Sequence, residues 1–126
     1  MRKVLVDTDI LINFLRGKMA ARNYLVAAIE DSTIYCSAIT VAEICAGMRQ
    51  AEKEETMALL DSLEVLDVSR KIAEKAGEYK RKETRQALEL DDCLIAATAF
   101  VHRALLATGN DKHYPMTDIR KSVVKP

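Results

Sequence analysis

Four acidic stretches, far apart in a chain of 126 residues, carry the groups able to do chemistry. Asp7-Thr8-Asp9 follows the apolar run Val4-Leu5-Val6, and Glu43 lies three residues after Thr40. Asp91-Asp92 opens the apolar stretch Cys93 to Val101, and Thr108-Gly109-Asn110-Asp111 follows Ala104-Leu105-Leu106-Ala107. If Asp7, Glu43 and Asp92 converge, their mutual repulsion raises their pKa values, and a divalent cation removes the conflict. Oxygen-only ligation, with no usable Cys or His, favours Mg²⁺ or Mn²⁺ over zinc. Such a centre suits phosphodiester hydrolysis, in which the metal polarises the phosphoryl oxygen and lowers the pKa of an attacking water. A carboxylate not consumed as a ligand can serve as general base.

Each stretch also has an ordinary structural use. An Asp or Thr ahead of an apolar-periodic run satisfies free helix amides, and Thr8 or Asp9 suffices for that, which leaves Asp7 as the surplus carboxylate. Thr40 and Glu43 match a capping box, although Ala46 and Gly47 leave the helical line beyond Glu43 bare. Asp91 can cap the helix that follows it. Asp92 shares a face with Ile95, Ala96 and Ala99, so its carboxylate points along the buried side and needs a compensating charge. Gly109-Asn110-Asp111 is standard turn chemistry.

The elements that must position these groups alternate. Val4-Leu5-Val6 reads as a strand buried on both faces, and Thr33-Ile34-Tyr35-Cys36, Glu64 to Val68, Ala104 to Ala107 and Ser122 to Val124 as further strands. Between them the periodicity predicts helices over Ile10 to Leu15, Ala20 to Ile29, a segment from Thr40 with Val41, Ile44, Cys45 and Met48 inward, a short one through Met57, Leu60 and Leu63, Arg70 to about Arg85, and Cys93 to Val101. The fold class is α/β, with a mainly parallel sheet of four to five strands flanked by helices, in one domain spanning the chain. In such sheets ligands bind beyond the carboxyl ends of the strands, which is where Asp7 and the Thr108–Asp111 turn fall.

Composition sets outer limits. Lys plus Arg and Asp plus Glu are each 19, so the chain does not hold nucleic acid by bulk charge. A local basic rim around an acidic pocket remains open, and Arg16, Arg49, Lys80, Arg81, Lys82, Arg85 and Lys112 are its members. Aromatic residues are 5% with no Trp, which argues against extensive base stacking. No apolar run is long enough to cross a bilayer and Asp7 comes too early for a signal peptide, so a cytoplasmic location is expected. Cys36, Cys45 and Cys93 form no metal-binding spacing and are expected to be buried apolar groups.

Taken together, Val6-Asp7-Thr8-Asp9 with Leu11-Ile12, Thr40-Val41-Ala42-Glu43, Asp92-Cys93-Leu94-Ile95-Ala96-Ala97-Thr98-Ala99, and Ala107-Thr108-Gly109-Asn110 followed by Lys112-His113-Tyr114-Pro115 resemble the PIN-domain ribonucleases, and among them the VapC toxins of toxin-antitoxin pairs. The resemblance implies a Rossmann-like domain that cleaves RNA with Mg²⁺ or Mn²⁺, forms a homodimer and is inhibited by a VapB-type antitoxin. It makes Asp7 and Asp92 direct metal ligands, and Glu43 the residue that positions the water or a second ion. Asn110 stands where many members have a fourth Asp, and Asp111 is its neighbour, so either can fill that place. Thr8 and Thr108 are expected to hydrogen-bond the acids or the scissile phosphate, with His113 a secondary phosphate contact.

Two other families share part of this pattern, and a third reading stays within the PIN fold. Asp7-Thr8-Asp9 also resembles the start of haloacid-dehalogenase-type phosphatases, in which the first Asp accepts a phosphoryl group, but that gives Glu43 and Asp92 no task. A receiver domain fits the length, but Asp91-Asp92 comes too late in the chain for it. A non-catalytic PIN-like module that binds RNA or partners needs no intact acidic set.

Overall fold

In a computed structural model all 126 residues are described. The strands are β1 (Arg2–Val6), β2 (Ser32–Ser37), β3 (Glu64–Leu66), β4 (Leu105–Thr108) and β5 (Lys121–Val123). The helices are α1 (Thr8–Leu15), α2 (Met19–Ala28), α3 (Ala38–Gly47), α4 (Lys53–Asp61), α5 (Arg70–Lys82) and α6 (Leu90–His102), with short 3-10 turns at Gln50–Glu52 and Asp111–His113. No helix is long and apolar enough to cross a membrane.

The strands form one sheet in the order β3-β2-β1-β4-β5, every neighbouring pair parallel. Val4 is in register with Ile34 on one side and Leu105 on the other, and Val6 with Ala107. The chain winds outward from β1 to β3 in one direction and from β4 to β5 in the other. The winding reverses between β1 and β4, and the crevice beyond those two strand ends is the place where open α/β sheets bind ligands.

Alternation along β1 splits the core into two layers. Leu5 and Leu106 face α5 and α6, packing with Ile72, Ala76, Ile95 and Ala99. Val4 and Val6 face α1 to α4, packing with Ile10, Leu11, Leu25, Ile34, Ile44 and Leu60. Each large side chain buried there contributes about 1.5–3 kcal/mol. Helix α6 is covered almost all round, with Cys93 and Ile95 to Ala99 buried, because its small residues let the sheet and α5 close over it.

The caps differ from expectation in ways that bear on the site. Helix α1 begins at Thr8, two residues early, because Asp7 is itself the N-cap and its Oδ1 accepts the Thr8 amide at 2.8 Å. Asp7 is therefore not surplus to capping; Asp9 is. Ser37 caps α3 through its Oγ and the Ile39 amide, so Thr40 and Glu43 lie inside the helix and form no capping box. Helix α6 begins at Leu90 with Glu89 in the cap position, and Asp91 does not cap it. Strand β3 stops at Leu66, short of Val68, and α5 ends at Lys82. Cys36 and Cys93 are buried, but Cys45 is exposed, because Val41 and Ile44 alone carry the inner face of α3 there.

Candidate active site

The site is built around Asp7, which ends β1 and is only 4% exposed. Its backbone amide donates to Ala107 O at 2.9 Å, carrying the β1–β4 ladder one residue past the strand. With Oδ1 on the Thr8 amide, Oδ2 accepts the Thr108 hydroxyl at 2.7 Å. Thr108 Oγ1 in turn accepts the Asn110 amide at 3.0 Å, which shapes the turn after β4.

Glu43 reaches the same crevice from α3. Thr8 Oγ1 donates to its Oε1 at 2.6 Å and lies 3.0 Å from Thr40 Oγ1, so Thr8 fixes this carboxylate and Thr40 holds Thr8. Asp92 arrives from the first turn of α6, where the unpaired helix amides favour an anion. Tyr114 Oη donates to its Oδ1 at 3.3 Å, and His113 Nδ1 stands 3.4 Å from its Oδ2. Burial raises the Asp92 pKa, His113 opposes the rise, and the charges of Asp7 and Glu43 add to it. Tyr114 is fully buried, and burial together with Asp7 and Asp92 pushes its hydroxyl far above the usual range, so it stays a protonated donor.

Asp9 is the fourth carboxylate here. Its Oδ2 accepts the Gly109 amide at 2.9 Å and Asn110 Nδ2 at 3.1 Å, while Oδ1 is buried without a partner. Burial first, then the Asp7 charge, raise its pKa to about 6. Position 109 favours glycine, since a Cβ there would fall 2.5 Å from Asp9 Oδ2 and 3.1 Å from Val124 O.

Asp7, Glu43, Asp92 and Asn110 thus meet at one end of the sheet. Asp111 does not join them, because it opens the 3-10 turn and its Oδ1 pairs with Lys121 Nζ at 2.9 Å. No three Asp, Glu, His or Cys side chains stand as a ready-made metal cage. Asp7, Glu43 and Asp92 each accept a hydroxyl, from Thr108, Thr8 and Tyr114. The donor set nevertheless suits a hard divalent ion: it is all oxygen, two of its acids have raised pKa values, and Asp9 holds an orphaned buried oxygen.

Asp9 and Thr40, read from the sequence as helix-cap residues, and Tyr114, read there only as part of a motif, stand in the site. The spacing of Asp7 and Asp9 was a usable signal. A single Tyr after a turn carries none, since its partner Asp92 is 22 residues away. The basic rim is thinner than its membership suggests: Arg49, Lys82 and Arg85 are paired with Glu52, Glu78 and Glu83, and Lys80 donates to Leu88 O.

Comparison with known proteins points the same way. The family model of the PIN domain matches residues 4–119. Ribonuclease VapC10 of Mycobacterium tuberculosis is 44% identical over 115 residues, covering 90% of this chain and 86% of that protein. Ribonuclease VapC19 of the same organism is 35% identical over 115 residues, covering 89% and 92%. A toxin-antitoxin complex from Klebsiella pneumoniae contains a chain of the same fold at TM-score 0.80 and 30% identity, covering 90% of this chain and 92% of that one. A crevice of carboxylates at the β1–β4 switch point, carried by a sequence that the family model spans almost end to end, places this chain in the PIN-domain family, among the VapC-type ribonucleases.

Proposed function

We propose that this chain is the toxin of a toxin-antitoxin pair, a single PIN domain that hydrolyses RNA in the cytoplasm as a homodimer, with Mg²⁺ or Mn²⁺ at the carboxylate crevice. The observation that carries the reading is the arrival of Asp7, Glu43 and Asp92 at one strand-end crevice, each on a different element and each fixed by a hydroxyl. Likeness to a toxin in complex with its antitoxin supports the protein partner.

Asp7 and Asp92 would hold the cation with Glu43 beside them, and the ion would supply Lewis-acid polarisation of the scissile phosphate. The chain's own residues do the rest. Thr108 and the Thr8 amide aim Asp7. Thr8 occupies Oε1 of Glu43, which leaves Oε2 to take the proton of the attacking water. Tyr114, locked as a donor, orients Asp92, and Asp9 braces the Thr108–Asn110 turn.

The test is cleavage of single-stranded RNA by the purified chain with Mg²⁺ or Mn²⁺, with EDTA, and by Asp7→Asn. Cleavage with metal, lost on chelation and in the variant, is expected. A trapped phosphoenzyme on Asp7 would assign a phosphatase instead.

A further inference from the structure

Opposite the carboxylates, where β4 and β5 begin, Lys71, Arg103 and Arg120 line one cleft of about 380 Å³ floored by Ala99, Phe100 and Ile119. None of the three cations has a carboxylate within ion-pair distance. The one acid in the cleft, Asp118, is already taken, by Lys75 at 2.9 Å and by the Tyr79 hydroxyl at 2.7 Å. Arg120 donates to the Arg103 carbonyl at 3.5 Å, and three cations with no carboxylate partner in one concavity are a feature to be explained.

Arg103 adds a second, independent observation. It ends α6 in the left-handed conformation, φ 55 and ψ 41, and is the only non-glycine residue with positive φ. Glycine is the usual occupant of such a position because it adopts that backbone without strain. Arginine there accepts the strain, and Arg103 lines the cleft.

One helix spans the distance between the cleft and the site. Helix α6 runs from Asp92 in the carboxylate crevice to Arg103, a rise of roughly 17 Å at 1.5 Å per residue. The segment Tyr114 to Arg120 makes the same journey on the outside, and the groove between it and α5 shares Asp118 with the cleft. The acids bordering that groove, Glu78, Glu83 and Asp118, are each paired with Lys or Arg, so nothing along it repels an anion.

We infer that Lys71, Arg103 and Arg120 form a distal phosphate subsite that holds the backbone of an RNA strand whose scissile bond lies at the carboxylates. At about 3.4 Å per stacked nucleotide the two places are roughly five nucleotides apart. The inference rests on the ribonuclease reading but concerns binding, and binding can be measured without cleavage.

The experiment uses full-length Asp92→Asn chain, to prevent turnover, and fluorescence anisotropy with a labelled twenty-nucleotide oligouridylate over a range of salt. Lys71→Gln, Arg103→Gln and Arg120→Gln together are compared with Lys18→Gln, Arg22→Gln and Lys53→Gln, which remove the same charge from the other side of the sheet. The cleft triple should weaken binding roughly tenfold or more at 0.1 M salt and lower the slope of log K against log salt by about 2, and the control triple should do neither. Arg103→Gly alone should raise Tm by a few degrees while weakening RNA binding, the signature of strain retained for ligand. Equal losses in both triples, no loss in the cleft triple, or no binding by the parent overturns the inference. So does loss of a labelled polyglutamate with RNA binding intact, which would make the cleft a protein-docking surface. RNA cleavage by the unsubstituted chain, read separately, tests the ribonuclease reading itself.

Discussion

The hydroxyl of Thr108 donates to Asp7 Oδ2 at 2.7 Å across 101 residues of sequence, and joins the ends of β1 and β4 where the sheet reverses its winding. A hydrogen bond to a buried charged group contributes about 1.5–3 kcal/mol. Thr108→Val keeps the shape and removes the donor, so kcat for RNA cleavage should fall about 10–100-fold with the fold intact by circular dichroism. Thr108→Ser should restore most of the loss.

Asp9 and Asn110 make the second clasp between α1 and the turn after β4. Asn110→Asp puts a carboxylate against the carboxylate of Asp9, next to Asp7. The metal-free variant should lose about 1–2 kcal/mol of stability, and Mg²⁺ should recover it. Thermal melts with and without the ion read this directly; equal Tm for variant and parent in EDTA would show that the Asp9 carboxylate is not charged beside Asp7.

Gly109→Ala drives a Cβ to 2.5 Å from Asp9 Oδ2 with Val124 O at 3.1 Å on another side. The Asp9 carboxylate must shift off the Gly109 amide and Val124 O must give by a few tenths of an ångström, at a cost of about 1–3 kcal/mol. Loss of cleavage should exceed the loss of stability in proportion, and Gly77→Ala, where an added Cβ meets nothing, serves as the control.

The pH dependence of stability follows from Asp9, whose pKa rises from 3.8 to about 6 on folding through burial and the Asp7 charge. The folded state binds the Asp9 proton more tightly than the unfolded state, so this group favours the folded metal-free chain at low pH. It should lose stability as the pH rises from about 4 through 6, by about 1 kcal/mol once solvent screening is allowed for. Asp9→Asn should flatten this part of the profile in denaturant titrations.

Much of this site was legible in the sequence, because the strand ends declare themselves. Val4-Leu5-Val6 could only be a two-sided buried strand, so Asp7 had to stand at its carboxyl end, and the apolar run after Asp92 placed that carboxylate inside. Capping was the weak point: Asp7 caps α1 and binds Thr108 at once, two uses that local chemistry treats as alternatives. The role of Tyr114 and the pairing of Asp111 with Lys121 come from how the 3-10 turn folds back, and no periodicity encodes that.

The most direct test of the central claim is calorimetric titration of Mn²⁺ into the chain at pH 7, beside Asp7→Asn and Asp92→Asn, with RNA cleavage followed in the same preparations. The parent should bind Mn²⁺, and each substitution should abolish binding and cleavage together. Mn²⁺ binding of undiminished affinity in both variants would contradict that claim.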